Sequence, residues 1–134
     1  MRTIGIGKGH ASSVLVADDD EDICALVAAI LTRAGFRAEI ADGGRSALAA
    51  AHKSASALYV LDVRMPDVSG LDVCRELKRS LDPSAPVLLI SAESTLDDLA
   101  AGYAAGCDDY LPKPFSAREL VRRVDQLLAK DVAS

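Results

Sequence analysis

From Val14 onward, short apolar runs and amphipathic segments of helical period alternate five times along the chain, and few architectures accept that order. Val14-Leu15-Val16-Ala17, Leu58 to Leu61 and Val87-Leu88-Leu89-Ile90 are continuous apolar stretches, the pattern of strands buried on both faces of a parallel sheet. Further strands are expected over about Arg37 to Ala41 and at Tyr110-Leu111. The first helix sets Ile23, Leu26, Val27, Ile30, Leu31 and Ala34 at helical spacing, and Gly35 stands where a C-terminal cap belongs. A second, weakly patterned helix covers about Arg45 to Lys53. A third, about Leu71 to Ser80, turns Leu71, Cys74 and Leu77 inward. The fourth carries Leu96, Leu99, Ala100 and Tyr103 on one apolar stripe before Gly106. Ser116-x-x-Glu119 reads as a capping box opening a fifth, whose apolar face is Leu120, Val121, Val124, Leu127 and Leu128. This (βα)5 order implies a doubly wound α/β domain, with a five-stranded parallel sheet, helices on both faces and right-handed crossovers.

One such domain uses nearly all of the 134 residues. Residues 14–130 are assigned to it, 1–13 to a flexible leader and 131–134 to a tail. In the leader, Gly5-Ile6-Gly7-Lys8-Gly9 lacks both the preceding strand and the G-x-x-x-x-G-K-[ST] spacing of a phosphate-binding loop. With two Phe, three Tyr and no Trp, the core must be built from Leu, Val, Ile and Ala. A net charge of −5 argues against direct nucleic-acid binding, which needs clustered Lys and Arg. The three cysteines are far apart and show no metal-ligand spacing, as expected of reduced thiols in a cytoplasmic protein. The longest apolar run, Ile23 to Leu31, is too short to span a bilayer, so no membrane partner is expected.

In sheets of this kind, ligands bind beyond the carboxyl ends of the strands, and the polar residues fall there. Strand 1 delivers Asp18-Asp19-Asp20, strand 3 Asp62, strand 4 Ser91 and strand 5 Lys113. Crowded carboxylates repel one another, and a cation offsets that cost. All-oxygen ligands with room for water suit Mg²⁺. Lys113 adds a fixed positive charge and Ser91 a hydroxyl donor. One carboxylate ending a central strand among these groups suits phosphoryl transfer onto that carboxylate. Each residue alone has a plainer reading: Asp20 or Glu21 as a helix cap, Asp62 as a turn residue before Met65-Pro66-Asp67, Lys113 as a solvated charge. Their joint placement at four strand ends outweighs those readings.

The segments Val14 to Asp20, Leu61-Asp62-Val63-Arg64-Met65-Pro66, Gly70, Pro86 to Ala92 and Gly106 to Phe115 resemble the response-regulator receiver domains of two-component signalling. The resemblance runs from about Val14 to Leu128. It implies the flavodoxin-like strand order 2-1-3-4-5. It further implies that Asp62 accepts a phosphoryl group from the phosphohistidine of a sensor histidine kinase or histidine phosphotransferase. Asp18, Asp19, Asp62 and the Arg64 carbonyl would hold Mg²⁺, directly or through water. Lys113, Ser91 and the Ala92 N–H would bind phosphoryl oxygens. Ser91 and Tyr110 would form the switch, and the Lys113-Pro114 peptide would be cis. Such a protein is no enzyme in the ordinary sense, catalysing only its own phosphorylation and dephosphorylation. Its output would pass to a downstream effector protein or domain.

The face formed by helix 4, strand 5 and helix 5 is similar to that of receivers that dimerise there, with Asp109 and Arg123 at the positions of an acid–arginine pair. Leu99 replaces a usual basic residue and leaves Glu119 without its expected partner, so homodimerisation and a heterologous partner both stay open. Ala57 and Ser69 replace commoner acidic or amide residues, and Ser91 replaces the commoner Thr. Arg64 and Glu93 are expected to flank the site mouth and pair across it. A haloacid-dehalogenase-type phosphohydrolase would read Asp18-Asp19-Asp20 as its D-x-D, but Asp22 stands where a small or β-branched residue is required and no cap domain is present. A receiver-like module that takes no phosphate is opposed by the intact Asp18, Asp19, Asp62, Ser91 and Lys113 set.

Overall fold

The computed structural model describes residues 12–133; the leader assigned to 1–13, with its glycine-lysine run, lies almost wholly outside them. The strands are β1 (Ser13–Ala17), β2 (Arg37–Ala41), β3 (Leu58–Asp62), β4 (Val87–Ser91) and β5 (Asp109–Pro112). The helices are α1 (Glu21–Arg33), α2 (Gly44–Lys53), α3 (Gly70–Glu76), α4 (Leu96–Ala104) and α5 (Ala117–Ala133). All neighbouring strands pair in parallel, in the order β2-β1-β3-β4-β5, as expected. The order reverses beside β1, so the carboxyl ends of β1 and β3 flank the crevice where such sheets bind ligands.

Every residue of β3 and of β4 is buried, which explains their unbroken apolar sequence. Successive side chains point to opposite faces and divide the core in two. Leu15, Tyr59, Leu61 and Leu89 meet Ala47, Val73, Cys74 and Leu77 on the α2–α3 side. Val14, Val16, Leu58, Val60 and Leu88 meet Val27, Leu31, Leu120 and Val124 on the α1–α5 side.

Several helix details depart from the expected pattern. The apolar stripe on α4 does not face the core. Leu96 is 84% and Tyr103 50% exposed, Ala100 is exposed too, and only Leu99 packs partly inward. Buried Gly102 sets the register instead, because a Cβ there would lie 2.8 Å from Cδ2 of Tyr110. Small size, not hydrophobicity, selects the face of α4. In α1, Cys24, Val27 and Leu31 are buried while Leu26 is half exposed.

α3 ends early at Glu76 and passes into a π-helical turn, Leu77–Leu81. α5 continues to Ala133, into the stretch assigned to a tail. Its capping box is half formed: Ser116 Oγ accepts the Glu119 N–H at 3.0 Å, while the Glu119 carboxylate turns to Arg122 and Arg123. A reciprocal box opens α4 instead, between Thr95 and Asp98. Among the described residues, no helix is long and apolar enough to cross a membrane.

Candidate functional site

The end of β1 turns sharply because Asp20 caps α1, its carboxylate accepting the N–H groups of Asp22 and Ile23 at 2.9 and 3.3 Å. That turn leaves Asp18 buried and Asp19 exposed at the sheet mouth. Asp18 is fixed by the Asp20 N–H at 2.9 Å on its Oδ1. Asp62 closes β3 beside it, 5% exposed, and carboxylate oxygens of Asp18, Asp19 and Asp62 lie within 4.8 Å of one another. Lys113 follows β5 and is anchored by its N–H to the Ser91 carbonyl at 2.8 Å. Its ammonium reaches Asp62 at 3.1 Å and Asp18 at 3.3 Å. The Lys113-Pro114 peptide is cis, as expected.

The charges do not balance. Burial, then the neighbouring Asp18, push the Asp62 carboxyl up to about 6, although Lys113 pulls the other way. For Lys113, burial disfavours the charged form, but pairing with Asp62 and Asp18 outweighs it and raises the ammonium above its ordinary value. The donor set is all oxygen, partly open to water through Asp19, and carries more negative than positive charge. Those properties fit a small divalent cation such as Mg²⁺. Asp18, Asp19 and Asp62 could hold it, with the Arg64 carbonyl two residues beyond Asp62 as a further candidate.

Ser91 ends β4 and is fully buried, its Oγ accepting the Glu93 N–H at 3.0 Å. Tyr110 lies inward on β5, 4% exposed, and donates its hydroxyl to the Glu93 carbonyl at 2.6 Å. One residue's backbone therefore ties together the two expected switch side chains, a link the sequence reading missed. Ala92, exposed, follows Ser91 at the start of the loop. Arg64 and Glu93 form the expected ion pair, both side chains largely exposed, where such a pair contributes about 1 kcal/mol at most.

The remaining candidates lie together but away from the acidic mouth. Arg123 reaches Asp109 at 2.8 Å and Glu119 at 2.7 Å, and Glu119 also takes Arg122. Glu119 thus has partners within its own helix. Exposed Tyr103 and Ala100 and half-buried Leu99 are contributed by α4.

Asp67 escaped the sequence reading except as part of a turn. Its carboxylate accepts the N–H groups of Gly44 and Arg45 at 3.0 and 2.9 Å and that of Val68 at 2.8 Å. Those donors, led by Arg45, hold its carboxyl down at about 2. α2 begins at Gly-Gly with no capping side chain of its own, so Asp67 supplies the acceptor from another segment.

Residues 14–125 match the family model described as the response regulator receiver domain. The chain is 43% identical over 122 residues to the probable transcriptional regulatory protein TcrX of Mycobacterium tuberculosis, covering 91% of this chain and 52% of that one. It is 44% identical over 117 residues to the transcriptional regulatory protein PrrA of the same organism, covering 87% and 50%. Among solved structures, the chemotaxis protein CheY4 of Vibrio cholerae superposes with a TM-score of 0.82 at 30% identity, covering 87% of this chain and 98% of that one. The chain spans about half the length of the curated relatives it matches.

Proposed function

The chain belongs to the response regulator receiver domains, signalling modules of two-component systems, and from that premise we propose that Asp62 is the phosphoacceptor in a Mg²⁺-dependent transfer from a phosphohistidine. The observation that carries this is the Lys113 ammonium lying 3.1 Å from Asp62 and 3.3 Å from Asp18, with Asp19 within reach of both carboxylates. An Asp62 oxygen attacks phosphorus, a P–O bond forms, and the P–N bond to the kinase imidazole breaks. The electron pair of that bond returns to the imidazole nitrogen. Asp18, Asp19, Asp62 and the Arg64 carbonyl would hold the Mg²⁺, which would supply neutralisation of the negative charge gathered at the mouth. Lys113 pairs with one phosphoryl oxygen, and the Ser91 hydroxyl and Ala92 N–H take others. Water attack on the acyl phosphate reverses the modification.

The phosphohydrolase reading fares worse, because Asp20, its second D-x-D carboxylate, is engaged as the α1 cap. Ser91 and Tyr110 meet at the Glu93 backbone, so drawing Ser91 toward a phosphoryl group changes what holds Tyr110. That coupling supports a switch read out on the α4–β5–α5 face, where Leu99, Tyr103, Asp109 and Arg123 gather. The partners are then a histidine kinase or phosphotransferase on the input side and an effector protein or domain on the output side, in the cytoplasm. Homodimerisation and a heterologous partner both fit the face.

Acetyl phosphate should add one phosphoryl group to the protein in Mg²⁺ and none in chelator, read by intact mass. Asp62→Asn should take up none, and Asp19→Asn should need far more Mg²⁺. Full labelling of Asp62→Asn would place the acceptor elsewhere. Loading with beryllofluoride in the same buffer should shift the amides of Leu99, Asp109, Tyr110 and Arg123. Shifts confined to the mouth would remove the proposed output face.

A further inference from the structure

The loop from Val63 to Ser69 leaves the site at Asp62 and returns to it at Gly70. Backbone hydrogen bonds hold its two ends: Val63 N–H to the Ile90 carbonyl at 3.0 Å and Gly70 N–H to the Val63 carbonyl at 2.9 Å. Among the described residues, none of the backbone–backbone bonds engages 64–68, the stretch that carries Arg64. Buried Met65 and the Asp67 carboxylate hold it instead. α2 is built to receive that carboxylate. Its first turn has neither an acidic residue nor a capping side chain, so its free N–H groups and the positive end of its dipole face the loop. Bare glycines make the approach close. A Cβ at Gly44 would lie 2.2 Å from the Val68 carbonyl oxygen, and one at Gly43 would lie 3.1 Å from both Asp67 carboxylate oxygens.

We propose that Asp67, which belongs to none of the groups assigned to metal or phosphoryl binding, is a positioning residue that clamps this loop to the start of α2 and thereby sets the Arg64 backbone for the metal site. The proposal rests on the Mg²⁺ reading of the acidic mouth. Charge-assisted bonds to backbone N–H groups are stronger than neutral ones, and α2 follows β2, whose Ala41 carbonyl accepts the Asp18 N–H at 3.4 Å. Through Asp67, the loop on one side of the carboxylates is thus referenced to the strand on the other.

The test is Mg²⁺ titration of the whole chain, followed by amide chemical shifts, for wild type, Asp67→Ala, Asp67→Asn and Tyr59→Phe. Tyr59→Phe removes a 2.8 Å bond to Asp82 from the β3 side chain packed near the opposite end of the sheet, and serves as a control for general loosening. Asp67→Ala should weaken Mg²⁺ binding about tenfold, the loss typical of removing a supporting partner from a metal site. It should also speed hydrogen exchange at the Gly44, Arg45 and Val68 amides in metal-free buffer. Asp67→Asn, which keeps one acceptor oxygen, should fall between, and Tyr59→Phe should bind like wild type. Unchanged Mg²⁺ affinity in Asp67→Ala overturns the proposal, as does an equal loss in Tyr59→Phe. Wild type that binds no Mg²⁺ overturns the underlying reading as well, and that failure is visible before any substitution is made.

Discussion

Gly70→Ala should unfold the protein at a markedly lower temperature and, where the variant is still folded, should nearly abolish labelling at Asp62. The added Cβ would stand 2.2 Å from the Asp62 carbonyl oxygen, 2.9 Å from its carbonyl carbon and 3.0 Å from the Val63 Cα. All three atoms are backbone, so no rotamer change relieves the contact. Either the first turn of α3 lifts away from β3 or the end of β3 bends. Overpacking of this kind costs about 3 kcal/mol, or roughly 10 °C in melting temperature for a domain of this size. The catalytic consequence is larger, since a displacement of about 1 Å in a reacting group costs on the order of a hundredfold in rate. Gly102→Ala is the contrast. Its nearest contacts are side-chain atoms of Tyr110 and Leu89, which can move, so stability should fall less and the change should appear at Tyr110. Thermal unfolding and acetyl-phosphate labelling of both variants separate the two cases, and a Gly70→Ala protein that melts and labels like wild type would show that α3 is not in fact seated on Asp62.

Most of the fold was legible because burial on two faces leaves a strong mark. β3 and β4 read as strands from their unbroken apolar runs, and Asp62 and Ser91 stand at the carboxyl ends of those strands as expected. What could not be read depends on contacts between distant segments. α4 misled because its exposed stripe is more apolar than its buried one; only the approach of Tyr110 to Gly102 reveals which side faces in. Asp67 was hidden for the same reason. Its partners, Gly44 and Arg45, are more than twenty residues away in sequence, and an exposed Asp in a turn carries no mark of a distant helix end. The Glu93 link between Ser91 and Tyr110 is made by backbone atoms, to which side-chain identity gives no clue.

Removing the Asp62 charge should make the metal-free protein more stable, not less. Asp62 is held among Asp18, Asp19 and a single ammonium, and burial followed by Asp18 raises its carboxyl from 3.8 to about 6. A folded-state value above the unfolded one means that the folded protein prefers the protonated acid. Below about pH 4 both states are protonated and the preference has no effect. Between about 4 and 6 the folded state holds a proton that the unfolded state lacks, so stability falls as pH rises. Above 6 the penalty is complete, on the order of 3 kcal/mol for a shift of about two units. In chelator, the melting temperature of wild type should therefore rise as pH falls from 7.5 toward 5. Asp62→Asn should be the more stable protein at pH 7.5, with a nearly flat profile through that window. The lowered carboxyls of Asp67, Glu76, Asp98 and Glu119 do not obscure it, since their stabilising contributions are lost only at more acid pH. Added Mg²⁺ should stabilise wild type at pH 7.5 by binding the folded state and should stabilise Asp62→Asn much less. A wild type that loses stability between pH 7 and 5, or an Asp62→Asn variant less stable than wild type in chelator, would mean that Lys113 already compensates Asp62 in full and leaves no charge for a cation to neutralise.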